Sequence, residues 1–284
     1  MSTEPERPEL SLETGYARVD DQTDPSFLVA VMDQTAAWGS IVSLRAFEAD
    51  ELALGPGDAL LDVGCGRGEV ACALAPLVVP GGRVVGVDAS EAMLDDARAR
   101  AGALGVEVAF RPGDALALAE PDASFDAVRS ERMLQWLPDP AAAVGEMARV
   151  LRPGGRLCLL DTDWRTLAVD IPDVELAARV TTTILRARGA SSAAGGLLVN
   201  LCRQHGLVDV VVQPATQVWT AWDPTTEVAP SGLWPLDAVL ADVVAEGHLD
   251  DASRARFLDQ LLRRAHEERF FMSLTMFAVV ARRP

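Results

Sequence analysis

Lysine is missing from this 284-residue sequence: all 25 basic residues are arginine, and 42 acidic residues bring the net charge to −17. A chain this acidic repels phosphate backbones and has no basic stripe, so nucleic acid and anionic membrane surfaces are poor partners. Cysteine is scarce. Cys65, Cys72, Cys158 and Cys202 form no closely spaced pair of the kind that grips zinc, and four are too few for a disulfide scaffold. Reduced thiols in a cytoplasmic protein are the expectation, with no resident metal. The start, MSTEPERPEL, lacks the basic and apolar stretches of a signal peptide, and no apolar run approaches the ~20 residues of a membrane span. Histidine occurs three times and tyrosine once, so proton-transfer candidates are few. Hydrophobic residues make up 49% and charged residues 24%, a composition that supports a folded core rather than disorder.

What is present is an alternation of short apolar strands and helices. Between Pro25 and about Leu54, apolar residues recur at helical spacing (Leu28, Val31, Met32, Trp38, Ile41 and Phe47 among them), predicting one or two amphipathic helices. The turn Gly55-Pro56-Gly57-Asp58 ends them. Strands are expected at Ala59–Val63, Arg83–Val87, Val106–Pro112, Phe125–Ser130 and Arg156–Asp161. Helices are expected at Glu69–Leu77, Ser90–Leu104 (capped by Ser90) and Pro140–Leu151. This rhythm predicts right-handed crossovers and a parallel sheet covered on both faces. Beyond Asp161 the pattern loosens. Helices are expected at Pro172–Arg188, Gly196–His205, Leu236–Glu246 and Ala252–Phe270, with strands at Val208–Thr220 and Ser273–Arg282. The last strand follows a helical excursion, which suits an antiparallel edge.

The strongest local signal is Leu60-Leu61-Asp62-Val63-Gly64-Cys65-Gly66-Arg67-Gly68, which leaves a strand and enters a helix. Glycines there let the backbone pass close beneath a ligand, and the helix start offers free N–H groups. A dinucleotide loop places its third glycine two residues further on; here Glu69 occupies that position, where it would repel a pyrophosphate. The acid Asp62 before the first glycine also points to a ligand with an amino acid end. Val84-Val85-Gly86-Val87-Asp88 is a second strand ending in an acid, placed to accept both hydroxyls of a ribose. A third strand runs into Arg111-Pro112-Gly113-Asp114-Ala115. Phe125-Asp126-Ala127-Val128-Arg129-Ser130 and Val150-Leu151-Arg152-Pro153-Gly154-Gly155-Arg156-Leu157 follow in order.

These five segments, spanning residues 60 to 160, resemble the class I S-adenosylmethionine-dependent methyltransferases. Within that family the chain is similar to the ubiquinone and menaquinone C-methyltransferases and the natural-product methyltransferases. The resemblance implies a Rossmann-like seven-stranded, mostly parallel α/β sheet with helices on both faces. It also implies an N-terminal helical lid over residues 1–54 and a cofactor domain over 55–284. Substrate-capping insertions are expected near 163–195 and 223–270. It implies that Gly64 and Gly66 line the methionine part of S-adenosylmethionine, that Asp62 helps hold its amino group, that Asp88 takes the ribose and that Asp114 accepts from the adenine amino group. Cys65, Ala89, Met93, Gly113, Ala115, Arg129 and Ser130 join the same expected cofactor site, with Tyr16 or Gln34 closing on the methionine end from the lid. The product is S-adenosylhomocysteine.

Methyl transfer is an in-line displacement at an activated sulfonium, so the protein mainly aligns the acceptor and excludes water. The acceptor is expected beyond the carboxyl ends of the strands, on a floor formed by Ser130–Leu137. Trp136 faces either substrate or core. Glu131 either lies near the sulfonium or forms a surface ion pair with Arg132. Asp161 is expected to cap the segment that follows it, while Asp163 and Trp164 point at the cleft. Candidates for a catalytic base are Glu131, Asp163 and His248. Trp136, Trp164 and Trp234 are the substrate candidates. Trp219, Trp222, Phe257, Phe270 and Phe271 either roof an apolar substrate pocket or form a dimer contact, leaving monomer and homodimer open. His205 suits a helix end and His266 a solvated helix face. The expected partner is a small, largely apolar acceptor, methylated at O, N or C in specialised or quinone metabolism. The alternative is an S-adenosylmethionine-binding protein that transfers no methyl group, such as a natural-product cyclase. The glycine spacing and the lack of a Tyr-Lys pair argue against an NAD-dependent oxidoreductase.

Overall fold

A computed structural model describes residues 20, 26–187, 190–227, 229–231 and 236–284. Its centre is β1 (Ala59–Val63), whose five residues, ALLDV, are all buried. A strand with no exposed face must be covered on both sides, which is what parallel sheets with crossover helices provide. β1 runs parallel to β2 (Arg83–Asp88) on one side and to β4 (Phe125–Glu131) on the other. β3 (Ala109–Pro112) lies outside β2, and β5 (Leu151–Val169) beyond β4, again parallel. β6 (Val208–Trp219) and β7 (Met272–Arg282) complete the order β3-β2-β1-β4-β5-β7-β6. Gly154 and Gly155 exchange backbone hydrogen bonds with Arg283, whereas Thr275 donates to Thr166, so β7 runs antiparallel to β5. The sheet is therefore mixed, parallel at its centre with an antiparallel edge.

Two compact units emerge. The larger comprises Gly39–Thr166, Ala190–Gln217 and Leu274–Pro284. It holds α2 (Gly39–Leu52), α3 (Glu69–Val78), α4 (Glu91–Leu104), α5 (Pro140–Val150) and α7 (Ala194–Gln204). One sheet face sets Leu60, Val84, Ala127 and Cys158 against Val70, Leu74 and Val78 of α3 and Leu52 of α2. The other sets Leu61, Val63, Val85, Val128 and Leu159 against Val144 and Met147 of α5 and Leu198 and Cys202 of α7. Each fully buried Leu or Val contributes about 1.5–3 kcal/mol. The smaller unit comprises Met1–Trp38, Leu167–Gly189 and Val218–Ser273. It contains α1 (Ser26–Ala36), α6 (Val174–Ala187), α8 (Leu236–Ala245) and α9 (Asp251–His266), with α6, α8 and α9 in mutual contact and their Val180, Ile184, Leu240, Phe257 and Leu261 buried. Asp250 caps α9 by accepting from the Ser253 N–H at 2.7 Å.

The Ser90 cap lies where expected, its hydroxyl accepting from Met93 N–H at 3.1 Å, and Gly105 ends α4 in the left-handed conformation. β5 differs from expectation. It starts at Leu151 and continues past Asp161 to Val169, because the acids do not need to cap anything: Asp161 accepts from the N–H of Thr162 and Gln135, and Asp163 is held by Arg165. The aromatic set is also placed differently. Trp219, Trp222, Phe257 and Phe270 are buried inside the smaller unit, where Trp222 lies 5.6 Å from Phe270 and Trp219 meets Trp38 edge-on at 5.1 Å, so these four rings offer no exposed dimer face.

Gly82 fixes the turn into β2. A Cβ there would lie 2.4 Å from the carbonyl oxygens of both Asp58 and Val78. Backbone on both sides leaves no flexible atom to yield. Gly82→Ala is expected to cost about 2–3 kcal/mol of stability, at the upper end for overpacking. Urea denaturation measures it, and a loss under 0.5 kcal/mol would show that the turn can open.

Candidate functional site

Strand order fixes where a ligand can sit. The chain steps outward from β1 to β2 and β3, then jumps back to β4 on the other side of β1, opening a crevice at the carboxyl ends of β1 and β4. At that point Gly64, Gly66 and Gly68 follow one another with φ of 72°, 49° and 69°, a left-handed run that only glycine adopts without strain. The loop is tied down rather than loose. Gly64 and Cys65 N–H donate to the Val87 carbonyl at 2.8 and 3.0 Å, and Gly66 N–H donates to Asp88 Oδ2 at 2.7 Å. Asp88 Oδ1 accepts from Ser90 N–H at 3.0 Å. One carboxylate thus locks the first glycine loop to the end of β2.

The floor of the loop is a buried ion network. Arg129 of β4 is 2% exposed. Its Nε and Nη2 donate to the two oxygens of Glu48 at 2.6 and 3.2 Å, its Nη1 donates to Asp62 Oδ1 at 2.8 Å, and its Nη2 also reaches Glu131 at 3.0 Å. Arg45, one turn before Glu48 in α2, donates to Glu131 at 2.9 and 3.0 Å and to Glu69 at 3.0 and 3.3 Å. Arg132 adds a contact to Glu131 at 3.3 Å. The network sets four carboxylates (Glu48, Asp62, Glu69, Glu131) against three guanidinium groups (Arg45, Arg129, Arg132). Asp62 Oδ2 is buried and has no hydrogen-bond partner among the described residues. Burial pushes the Asp62 carboxyl up to about 6 against the pull of Arg129. Burial acts upward on Glu131 too, but Arg132, Arg45 and Arg129 outweigh it and hold Glu131 at about 2. The Glu131–Arg132 contact is therefore not a surface ion pair: the Glu131 side chain is only 6% exposed.

The remaining expected cofactor residues of the larger unit stand along the same strand ends. Ala89 is exposed after β2 and Met93 is buried under the Ser90 cap. Gly113 N–H donates to the Asp88 carbonyl at 3.0 Å, and Asp114 turns back to accept from Leu116 N–H at 2.8 Å, with Ala115 between them. Ser130 is buried beside Met133, its hydroxyl 3.9 Å from the sulfur. The side chain of Arg129 is engaged by Glu48, Asp62 and Glu131. Beyond β4, the Leu134–Trp136 3-10 turn is pinned to β5: Asp161 accepts from Gln135 N–H at 3.2 Å, and the Trp164 indole donates to the Gln135 side-chain oxygen at 2.7 Å. Burial, against the N–H groups of Thr162 and Gln135, pushes Asp161 up to about 7.

Other candidates lie elsewhere. Asp163 is occupied by Arg165 at 2.6 and 2.8 Å, which opposes a role as base. His248 belongs to the smaller unit, half exposed and 3.6 Å from Glu246. Gln34 is exposed on α1 in that unit. Tyr16 and Trp234 lie outside the described residues. Glu48 and Arg45 were not singled out from the sequence. The available signal was a charge inside an apolar helical stripe, since Glu48 sits four residues from both Leu44 and Leu52.

A family model described as a methyltransferase domain matches residues 61–159. An uncharacterized 37.1 kDa protein in transposon TN4556 of Streptomyces fradiae is 35% identical over 254 residues, covering 89% of this chain and 70% of that protein. The 27-O-demethylrifamycin SV methyltransferase of Amycolatopsis mediterranei is 44% identical over 115 residues, covering 40% of this chain and 42% of that enzyme. This chain spans less than half the length of the curated methyltransferases it matches. Among solved structures, phosphoethanolamine N-methyltransferase 2 of Haemonchus contortus, in complex with phosphomonomethylethanolamine and S-adenosylhomocysteine, aligns with a TM-score of 0.57 at 17% identity, covering 97% of this chain and 60% of that one. No helix among the described residues is long and apolar enough to cross a membrane.

Proposed function

This chain belongs to the class I S-adenosylmethionine-dependent methyltransferases, and we propose that it moves a methyl group from S-adenosylmethionine to O, N or C of a small, largely apolar metabolite by in-line displacement. The observation that carries this reading is the unpaired, buried Oδ2 of Asp62 within a network holding one more carboxylate than guanidinium. A buried carboxylate oxygen without a partner costs about 1–3 kcal/mol, more for a charged group, and a cationic donor removes that cost. S-adenosylmethionine carries an ammonium and a sulfonium, and S-adenosylmethionine supplies an activated methyl group when bound. The donor set therefore fits it.

In this reading Asp62 accepts from the amino group, Gly64 and Gly66 admit the methionine chain, Asp88 takes the ribose hydroxyls and Asp114 the adenine edge. Cys65, Ala89, Met93, Gly113, Ala115 and Ser130 line the same cleft. Trp136 and Trp164 form the acceptor end, where Gln135 fixes the Trp164 ring. Cytoplasmic location, specialised or quinone metabolism, and capping of the acceptor by segments 1–54, 163–195 and 223–270 belong to the same proposal.

The test pairs calorimetric titration with S-adenosylhomocysteine and a product assay. Micromolar affinity, about −8 kcal/mol, is the expected result. S-adenosylhomocysteine should then form from S-adenosylmethionine with at least one acceptor from a panel of phenols, enols and amines on apolar skeletons. Absence of binding heat at several temperatures, together with no thermal shift, would overturn the cofactor assignment. Binding without product across the panel would turn the reading towards a non-methylating scaffold.

A further inference from the structure

The helix before the first strand is bound into the site by charge. Glu48 of α2 holds the guanidinium of Arg129 with two hydrogen bonds, and the same guanidinium donates to Asp62 Oδ1, leaving the buried Oδ2 unpaired among the described residues. All three side chains are at most 2% exposed. A planar guanidinium serves two acceptors at fixed angles, which a point-charge ammonium cannot do.

We propose that Arg129, oriented by Glu48, is a positioning residue for cofactor binding: it keeps Asp62 ionised and turns its free oxygen towards the amino group of the ligand. The inference rests on the reading that this site takes the methionine end of S-adenosylmethionine. Neither Arg129 nor Glu48 touches the ligand. They act through one acceptor, so their effect is confined to the ligand's amino acid moiety and to the pH at which that acceptor loses its charge.

The charged and titratable groups around Asp62 are Arg129 and Glu131 of β4, Glu48 of α2, Cys65 of the glycine loop and Cys72 of α3. Both thiols are held above their usual range by burial, so they stay neutral through the pH range of interest. Arg129 pulls the Asp62 carboxyl down, while Glu48 and Glu131 push it up. The signs give opposite expectations for two mild substitutions. Glu48→Gln removes a neighbouring negative charge, so the pH below which affinity falls moves down. Arg129→Lys keeps the charge but cannot span Glu48 and Asp62 together, so that pH moves up.

The experiment measures affinity of the full chain for two probes from pH 5 to 8. S-adenosylhomocysteine carries the amino group. 5′-Methylthioadenosine retains the nucleoside and lacks the amino acid. For Arg129→Lys, an upward shift of one pKa unit from the parent's value of about 6 should weaken S-adenosylhomocysteine about tenfold at pH 5 and about twofold at pH 7, while 5′-methylthioadenosine changes less than twofold at either pH. Glu48→Gln should bind S-adenosylhomocysteine better than the parent at pH 5.5 and equally at pH 8. Equal weakening of both probes in either variant, or a midpoint shifted in the same direction by both substitutions, overturns the proposal and leaves the network a structural role. Failure of the parent to bind either probe overturns the cofactor reading instead.

Discussion

Asp88→Ala is expected to bind S-adenosylhomocysteine at least about a hundredfold more weakly than the parent. Two hydrogen bonds from ribose hydroxyls to a carboxylate contribute roughly 1.5–3 kcal/mol each, and each 1.4 kcal/mol is tenfold, so a loss between about 10²- and 10⁴-fold follows. The carboxylate has a second task. It accepts from the N–H of Gly66 and of Ser90, holding the glycine loop against the start of α4. Removing it leaves both donors unpaired and lets the loop drift, which adds to the loss. Asp88→Asn keeps one acceptor oxygen and should fall between the two. Titration calorimetry on protein of verified circular dichroism reads the result, and an Asp88→Ala affinity within threefold of the parent would remove Asp88 from the site.

Arg129→Met is expected to give the largest stability loss of any single substitution in the network, about 3–5 kcal/mol, as when one partner of a buried ion pair is deleted. Glu48, Asp62 and Glu131 would then face one another without their shared counter-charge. The pH dependence carries a defined sign. Arg129 pulls the carboxyls of Asp62 and Glu131 down against burial; without it both rise, and stability with raised carboxyl groups is lost as pH increases. The deficit should therefore be largest near pH 7 to 8 and shrink towards pH 5, where the acids take up protons. Urea denaturation at pH 5 and 7.5 measures both quantities. A deficit below 1 kcal/mol at pH 7.5, or one that grows on acidification, would show that the guanidinium does not compensate these charges.

Much of the sheet was legible because local signals and global fold agree. The fully buried β1, the Gly64–Gly68 loop and the Ser90 cap each depend on neighbours within a few residues. The end of β5 was not legible, because Asp161 reads as a cap for the next segment and Asp163 as a cleft-facing acid until their partners are known. Those partners are the Gln135 N–H, 26 residues away, and Arg165. The acidic floor of the site was hidden for the same reason. Asp62 reads as a ligand carboxylate and Arg129 as one more cofactor contact, yet the pair is fastened by Glu48, which lies 81 residues from Arg129 in sequence. Periodicity reports which face a helix buries, and it assigned Glu48 no meaning because a charge inside an apolar stripe makes sense only once its partner is in place. The aromatic residues beyond Asp161 were read as the roof of a pocket or a dimer contact because nothing in their spacing reveals that Trp219, Trp222, Phe257 and Phe270 are buried within the smaller unit.

In the proposed binding mode, an acceptor carboxyl that burial pushes up to about 6 makes ligand capture and proton traffic one equilibrium. In mildly acidic solution a fraction of the molecules hold a proton on the Asp62 carboxyl, and an incoming ammonium group must displace it. Filling the site then expels hydrogen ions in a non-integral number that grows as the medium becomes more acidic through that range. Part of the heat evolved on binding there comes from whatever buffer accepts those ions, and the apparent enthalpy becomes a property of the solvent as well as of the protein.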